Sequence, residues 1–404
     1  MKILVLNAGS SSQKSCLYSL EADSLPQKHP DPIWEATIDW TASPEFGLMK
    51  VKANGVKQEI KLDPGKKPDG IAQMLDTLVQ GETRVLEQLT EINVVGHRVV
   101  HGGSEYSEAI RITPEVKAAI AQLIPLAPSH NPAHLEGINA IEKILGAVPQ
   151  VAVFDTAFHS KMPKSAAVYP IPYEWFERGI RRYGFHGTSH KYCANRAAQL
   201  LGQPLEMVQL ITCHLGNGAS LAAVRQGISV DTTMGFTPLE GLMMGTRSGS
   251  IDPAISIHLI RNHGMSADQV DHMLNKESGL KGITGVSGDM RYVAETMEQG
   301  DKRAKLAFEM FSHHLRTAIG SMLGNLHRLD ALVFSAGIGE HSAVVRQAAC
   351  AGFEFLGITL DPEKNAHPEM DSDISTADSR VRIFVIHTEE DWAIATECWN
   401  ILGL

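Results

Sequence analysis

Two stretches about 200 residues apart repeat one pattern, and that repetition constrains the fold more than any other feature. At the start, Lys2-Ile3-Leu4-Val5-Leu6-Asn7 runs into Ala8-Gly9-Ser10-Ser11-Ser12-Gln13-Lys14; later, Leu210-Ile211-Thr212-Cys213-His214 runs into Leu215-Gly216-Asn217-Gly218-Ala219-Ser220. Each reads as a buried apolar strand, a polar residue, a turn of small residues and a return strand, the second return covering Leu221 to Val224. Placing Gly9 over Gly216 aligns Leu4 with Ile211, Leu6 with Cys213 and Asn7 with His214. Two such units predict a duplicated domain with a ligand between the halves. Small residues let backbone N–H groups approach an anion, and in the first copy the serines and Lys14 add donors and a positive charge. The competing reading is two ordinary hairpins in one sheet protein.

A third element weighs against that. Leu332-Val333-Phe334-Ser335-Ala336-Gly337-Ile338-Gly339-Glu340 reads as a strand entering a Gly-x-Gly turn and then a helix. It lacks the third glycine of a dinucleotide fingerprint, so a Rossmann reading is poor, and no Gly-x4-Gly-Lys-Ser/Thr occurs, which removes the P-loop class. Two phosphate-type hairpins and one late Gly-x-Gly turn, in this order, resemble the nucleotide site of the actin, sugar-kinase and heat-shock-ATPase superfamily.

The rest of the chain alternates strands and helices, so the class is α/β. Asn54-Gly55 between alternating runs predicts a hairpin. Residues 64–70 read as a loop, Ile71 to Leu89 as a helix, and Pro114 and Pro132 as helix openers. Strands are expected at Val94-Val95, just before Arg98, at Val151 to Phe154, just before Asp155, and at Val381 to Ile386, before a last helix over about 390–402. With 404 residues there is ample core for two or three domains. A net charge of −10 argues against nucleic acid as the main partner, so an anionic substrate needs local arginines. Five cysteines without a C-x-x-C pair suit a reducing cytoplasm, and no run reaches the ~18 apolar residues of a membrane span.

Polar residues at strand ends are the places to look for chemistry. Arg98 and Asp155 sit there, and Arg247 lies in the glycine-rich run Met243 to Ser250, where a guanidinium fork can meet carboxylate or phosphate oxygens. A lone arginine would otherwise be read as a surface ion pair. His186 and His190, four apart, lack the third ligand and glutamate of a zinc site. His186 reads instead as a donor to an anion, and Thr188 or Ser189 as the cap of a helix over Lys191 to Leu200. Thr388-Glu389-Glu390-Asp391 brings carboxylates to a strand end, where one could hold Mg²⁺, or where acidic residues simply favour a helix start.

Taken together, Asn7 to Ser12, Gly96-His97-Arg98-Val99-Val100-His101-Gly102-Gly103, Phe154-Asp155-Thr156-Ala157-Phe158-His159, Tyr183 to His190, His214 to Gly218 and Gly337 to Glu340 closely resemble the acetate kinase family, in order from residue 1 to about 400. The resemblance implies two duplicated actin-like domains, ribonuclease-H-like mixed sheets with flanking helices around a nucleotide cleft. Residues 1–158 with 389–404 would form the acyl-substrate side, and 159–388 the nucleotide side. It implies reversible phosphorylation of acetate by ATP to acetyl phosphate and ADP, in a cytoplasmic homodimer, with Mg²⁺ or Mn²⁺ and without nucleic acid or membrane. By the same resemblance Arg98, Arg247 and His186 surround the transferring group and Asp155 is the essential acid, often taken as proton donor or acceptor. Asn7 and Glu390 fall at the metal positions, with Glu389 the alternative. Nucleotide contacts fall on Lys14, on His214, Leu215, Gly216, Asn217 and Gly218, on Asp289, Met290 and Arg291, and on Gly337, Ile338, Gly339, Glu340 and His341. The acyl pocket falls on Arg98, Val100, Ser129, Phe185 and Pro238. Ser129 stands where the family usually has leucine, which loosens the expected selectivity toward propionate.

A carboxylic acid is ionised at pH 7 and needs no general base, so positive charge should dominate such a reaction, and Asp155 is expected to order an arginine or metal-bound water. The rivals are a propionate or butyrate kinase, a hydroxyl-directed kinase, and a non-enzymatic ATP switch.

Overall fold

The apolar run after Met1 becomes β1 (Lys2–Ala8), with Ile3, Leu4, Val5 and Leu6 all buried, as a central strand covered on both faces requires. The computed structural model describes residues 1–9, 12–20, 24–26, 29–43, 45–63, 65, 69–128 and 130–403. Ser10, Ser11, Ser129 and most of the loop expected over 64–70 lie outside that set. On one side β1 pairs antiparallel with β2 (Ser12–Ser19), followed by β3 (Trp34–Asp39), β4 (Gly47–Ala53) and β5 (Val56–Leu62). On the other it pairs parallel with β6 (Val94–Val99), and β6 pairs parallel with β8 (Gln150–Phe154); β7 (Ile110–Arg111) closes the edge antiparallel to β8. The order is β5-β4-β3-β2-β1-β6-β8-β7.

The second sheet holds β9 (Gln209–Leu215), β10 (Ala219–Arg225), β11 (Ile228–Thr232), β12 (Ala331–Ser335), β13 (Ser372–Asp373) and β14 (Arg382–Val385), in the order β11-β10-β9-β12-β14-β13. Strand for strand this matches β3-β2-β1-β6-β8-β7 in position, direction and succession along the chain. The expected duplication is therefore present as two mixed, helix-flanked sheets, with β4 and β5 an addition to the first. Register carries the match to single residues: Leu6 lies opposite His97, and its counterpart Cys213 opposite Phe334. Asn7 thus corresponds to His214, and Arg98 to Ser335. The chain divides into two compact units, Met1–Ala157 with Glu389–Leu404, and Phe158–Thr388.

Several local expectations are corrected. The helix expected to Leu89 spans only Gly70–Val79, because Gln80 turns extended and Gly81 takes a positive φ of 76°. Val85 and Leu89 still pack on the core, but from an irregular return whose amides at Val85 and Leu86 both donate to the Leu78 carbonyl. Arg98 is inside β6 rather than after it. The helix expected from Lys191 begins at Gly187, so Thr188 and Ser189 lie within its first turn and do not cap it. Gly337 and Gly339 fall inside the short helix Ala336–His341, and the turn itself is made one residue earlier by Ala336 at φ 62°. Asn54 and Gly55, at φ 52° and 77°, make the expected two-residue hairpin turn.

The C-terminal helix Glu390–Leu402 lies on β1 and β6 of the first sheet and passes close to Gly96 in β6. A Cβ there would stand 2.6 Å from Cys398 Sγ and 2.7 Å from Ile394 Cγ2. Gly96→Ala should therefore push the helix outward and destabilise the protein by about 1–3 kcal/mol. A denaturant midpoint unchanged from wild type would contradict this packing.

Candidate active site

In the first unit, the C-terminal ends of the parallel strands deliver a chain of polar side chains. Arg98 Nε donates to Asp155 Oδ1 and Oδ2, both at 3.1 Å, and Nη2 donates to Oδ2 at 2.6 Å. This fork-to-carboxylate pair is buried at the Asp155 end, whose side chain is 2% exposed. Burial alone would lower the guanidinium pKa, but the charge and hydrogen bonds of Asp155 outweigh it and the net shift is upward. Arg98 Nη1 reaches Asn7 Oδ1 at 3.4 Å, Asn7 Nδ2 donates to Asp391 Oδ1 at 3.0 Å, and Lys14 Nζ pairs with Asp391 Oδ2 at 2.7 Å. Lys14, expected as a nucleotide contact, is held by a buried carboxylate that the sequence had left unassigned. Its pKa is lowered by burial and raised more by Asp391. Asp391 escaped notice because one of three adjacent carboxylates cannot be singled out until the helix start fixes their directions. Glu389 is the N-cap residue and Glu390 the first helical residue. Val100 is buried just beyond β6.

In the second unit, His186 occupies a left-handed conformation (φ 57°, ψ 27°) at the head of the helix Gly187–Leu200. Its Nδ1 is 2.8 Å from Ser220 Oγ, and its ring stacks on His214 with centroids 4.1 Å apart. Ser220 Oγ also meets His190 Nε2 at 2.8 Å, His190 Nδ1 meets Thr212 Oγ1 at 2.7 Å, and Ser189 Oγ meets His214 Nδ1 at 2.8 Å. His190 and His159 are the supporting layer that single-sequence reading missed. Burial drives the His159 pKa to about 4 and that of His190 well below its ordinary value.

Gly218 closes this turn, its carbonyl accepting from the Gly216 amide at 3.0 Å. A Cβ on Gly218 would lie 3.4 Å from Arg247 Nη1 and 3.4 Å from His186 Nε2. The missing side chain thus leaves a small space flanked by a guanidinium and an imidazole. Arg247 Nη1 donates to the Pro238 carbonyl at 3.1 Å, and among the described residues it meets no carboxylate. Desolvation lowers its pKa, yet an arginine stays charged at neutral pH. Phe185 is buried, and its carbonyl meets His159 Nε2 at 3.0 Å.

The remaining expected nucleotide residues also lie in this unit. Asp289 caps the helix Met290–Glu298 through the Arg291 amide at 2.8 Å and pairs with the exposed Arg291 guanidinium at 2.6 Å. Met290 is buried. Gly337, Ile338, Gly339, Glu340 and His341 form the short helix after β12, with Glu340 Oε2 2.6 Å from His387 Nδ1. Buried Arg346 donates to the Gly339 and Glu340 carbonyls at 2.8 and 2.7 Å, satisfying the helix end. Burial lowers the Arg346 pKa to about 10.

The acetokinase family model matches residues 2–396. The acetate kinase of Rippkaea orientalis is 64% identical over 403 residues, covering all of both chains. The chain belongs to the acetokinase family. Among solved members, the Porphyromonas gingivalis acetate kinase is 38% identical, covers 100% of both chains and superposes with a TM-score of 0.90. A propionate kinase from Francisella tularensis is 42% identical, covers 98% of each chain and has a TM-score of 0.89. The fold is thus that of family members, and the enzyme is a kinase.

Two outcomes test this geometry. Gly218→Ala should fold normally, since its Cβ would make ordinary contacts, yet fill the space between Arg247 and His186 and cut turnover at least tenfold. Unaltered turnover would mean that nothing binds there. Separately, His97 and His159 are both depressed by burial to about 4. In the unfolded chain they protonate near 6.5, so between pH 6.5 and 4 the unfolded state binds more protons and stability falls as pH falls. Each contributes on the order of 3 kcal/mol across that window. A stability curve flat from pH 7 to 4.5 would contradict it.

Proposed function

We propose that this kinase passes the γ-phosphoryl group of ATP to acetate, reversibly and in line, giving acetyl phosphate and ADP. The carrying observation is Arg247, whose guanidinium meets no carboxylate among the described residues and stands with His186 over the space at Gly218. A positive group held without a counter-charge is suited to an anion that arrives, and bringing an anionic carboxylate against an anionic phosphate is the main barrier. Arg98 supplies the second permanent charge. Asp155 grips it at three short contacts, which supports a role in orienting the guanidinium rather than taking a proton. Asn7, Glu390 and Asp391 offer the hard oxygen atoms that Mg²⁺ prefers, and Glu390 and Asp391 both act electrostatically on Arg98. Among the described residues no three His, Cys, Asp or Glu side chains form a metal cage, so a cation there would draw most ligands from phosphates and water. Bound Mg²⁺ would neutralise the β- and γ-phosphate oxygens.

The acyl-chain contacts are assigned, on the family resemblance, to Val100, Phe185, Pro238 and Ser129, the last of which lies outside the described residues. The likeness to a propionate kinase supports some use of propionate. A homodimer is supported by the helix Pro253–His263, which has no buried residue and exposes Ile255, Ile257 and Ile260 by 44, 48 and 39%. Five buried cysteines without disulfides support a cytoplasmic setting. Among the described residues no helix is long and apolar enough to cross a membrane.

Protein mixed with MgATP, acetate and hydroxylamine should yield acetyl hydroxamate, with propionate a weaker acceptor; no hydroxamate would reject the reading. Arg98→Ala and Arg247→Ala should each lower kcat at least a hundredfold, roughly 3–4 kcal/mol, while ATP still binds. Near-normal turnover in either variant would remove the two-arginine account.

A further inference from the structure

The helix Gly187–Leu200 begins abruptly. Its N-cap is His186, held left-handed, and no side chain caps the first turn. Among the described residues, no acceptor meets the amides of Gly187, Thr188 and Ser189. Such a helix start carries partial positive charge and ready N–H donors. The two hydroxyls of this turn differ. Ser189 Oγ is committed to His214 Nδ1 at 2.8 Å. Thr188 Oγ1 is buried and has no hydrogen-bond partner among the described residues, on a residue only 8% exposed. A buried hydroxyl left unpaired is costly unless something the folded chain lacks completes it. Two residues before it, His186 places Nε2 beside the space at Gly218 that Arg247 also flanks. The open amides are donors and Arg247 is a positive charge beside that space, so the partner that suits this turn is an acceptor, and an anionic one.

We propose that Thr188 is a further catalytic residue, its Oγ1 donating, with the first-turn amides, to an oxygen of the phosphoryl group in transfer. The proposal rests on the reading of this site as a phosphoryl-transfer centre. A phosphoryl group in transfer spreads charge over three equatorial oxygens, more than His186 and Arg247 can each satisfy singly. Thr188 and the helix start supply donors for another, already ordered before the substrate arrives.

The test compares Thr188→Val, which keeps the branched shape and removes the hydroxyl, with Thr188→Ser, which keeps the hydroxyl. Three quantities are measured on the full chain: kcat with MgATP and acetate, ADP affinity by calorimetry, and inhibition by MgADP with aluminium fluoride and acetate, a mimic of the planar phosphoryl group. Thr188→Val should lower kcat 10- to 100-fold and weaken the aluminium fluoride inhibition by a similar factor, with ADP affinity and Tm unchanged. Thr188→Ser should restore both to within about threefold of wild type. Unchanged kcat and inhibition in the valine variant overturn the proposal. So does a serine variant as impaired as the valine one, or a loss of ADP affinity and Tm in step with kcat, which marks a structural role. Failure of the kinase reading would appear differently, as wild-type protein that forms no acetyl phosphate.

Discussion

Parallel pairing of a central strand with the neighbour that follows it, β1 with β6 and β9 with β12, is the constraint on which the rest depends. Parallel strands end at the same edge of a sheet, so segments far apart in sequence release their polar residues side by side. In the first sheet this brings Asn7, Arg98 and Asp155 to one edge, although Arg98 lies 91 residues from Asn7 and 57 from Asp155 along the chain. In the second it brings His214 and Ser335 together. The middles of these strands are mostly apolar, and the polar residues fall in their last positions or just beyond them.

The two halves use that edge in electrostatically opposite ways. In the first, positive groups are matched: Arg98 with Asp155, Lys14 with Asp391, and Asn7 linking the two pairs. Such a network orders its members, at the cost of desolvating charges that only good geometry repays. In the second, the groups around Gly218 are held mainly by neutral partners. Arg247 leans on a carbonyl, the histidines are held by hydroxyls, and the helix start at Gly187 is open. A neutral hydroxyl partner fixes a ring without cancelling whatever positive potential the neighbouring arginine provides. Rigid positioning and uncompensated charge are the two requirements of a site that must receive a multiply charged anion.

Duplication explains why both halves present polar residues at the same sheet edge and why those residues differ. Corresponding positions hold Asn7 and His214, and Arg98 and Ser335, so one backbone plan was furnished with charge in one copy and with small residues in the other. The small residues matter by what they omit. Gly218 leaves open the space between Arg247 and His186, and Gly96 lets the C-terminal helix lie against β6.

What the sequence alone determined was the repeated strand–turn–strand unit, the α/β class, the family, and the identity of most polar residues at the strand ends. These are local signals, carried by apolar runs, glycine turns and short motifs, and they survive without knowledge of distant partners. The tertiary structure alone decided which carboxylate faces Asn7 and Lys14, because Glu389, Glu390 and Asp391 are equivalent until the helix start sets their directions. It also decided that residues 80–89 do not continue a helix, since apolar periodicity cannot tell a helix face from an irregular loop packed on the same core. Last, it decided that Thr188 is not a cap. Hydroxyl residues near a helix start look alike in sequence, and only the structure, with His186 as the cap, puts Thr188 two positions too far along to serve.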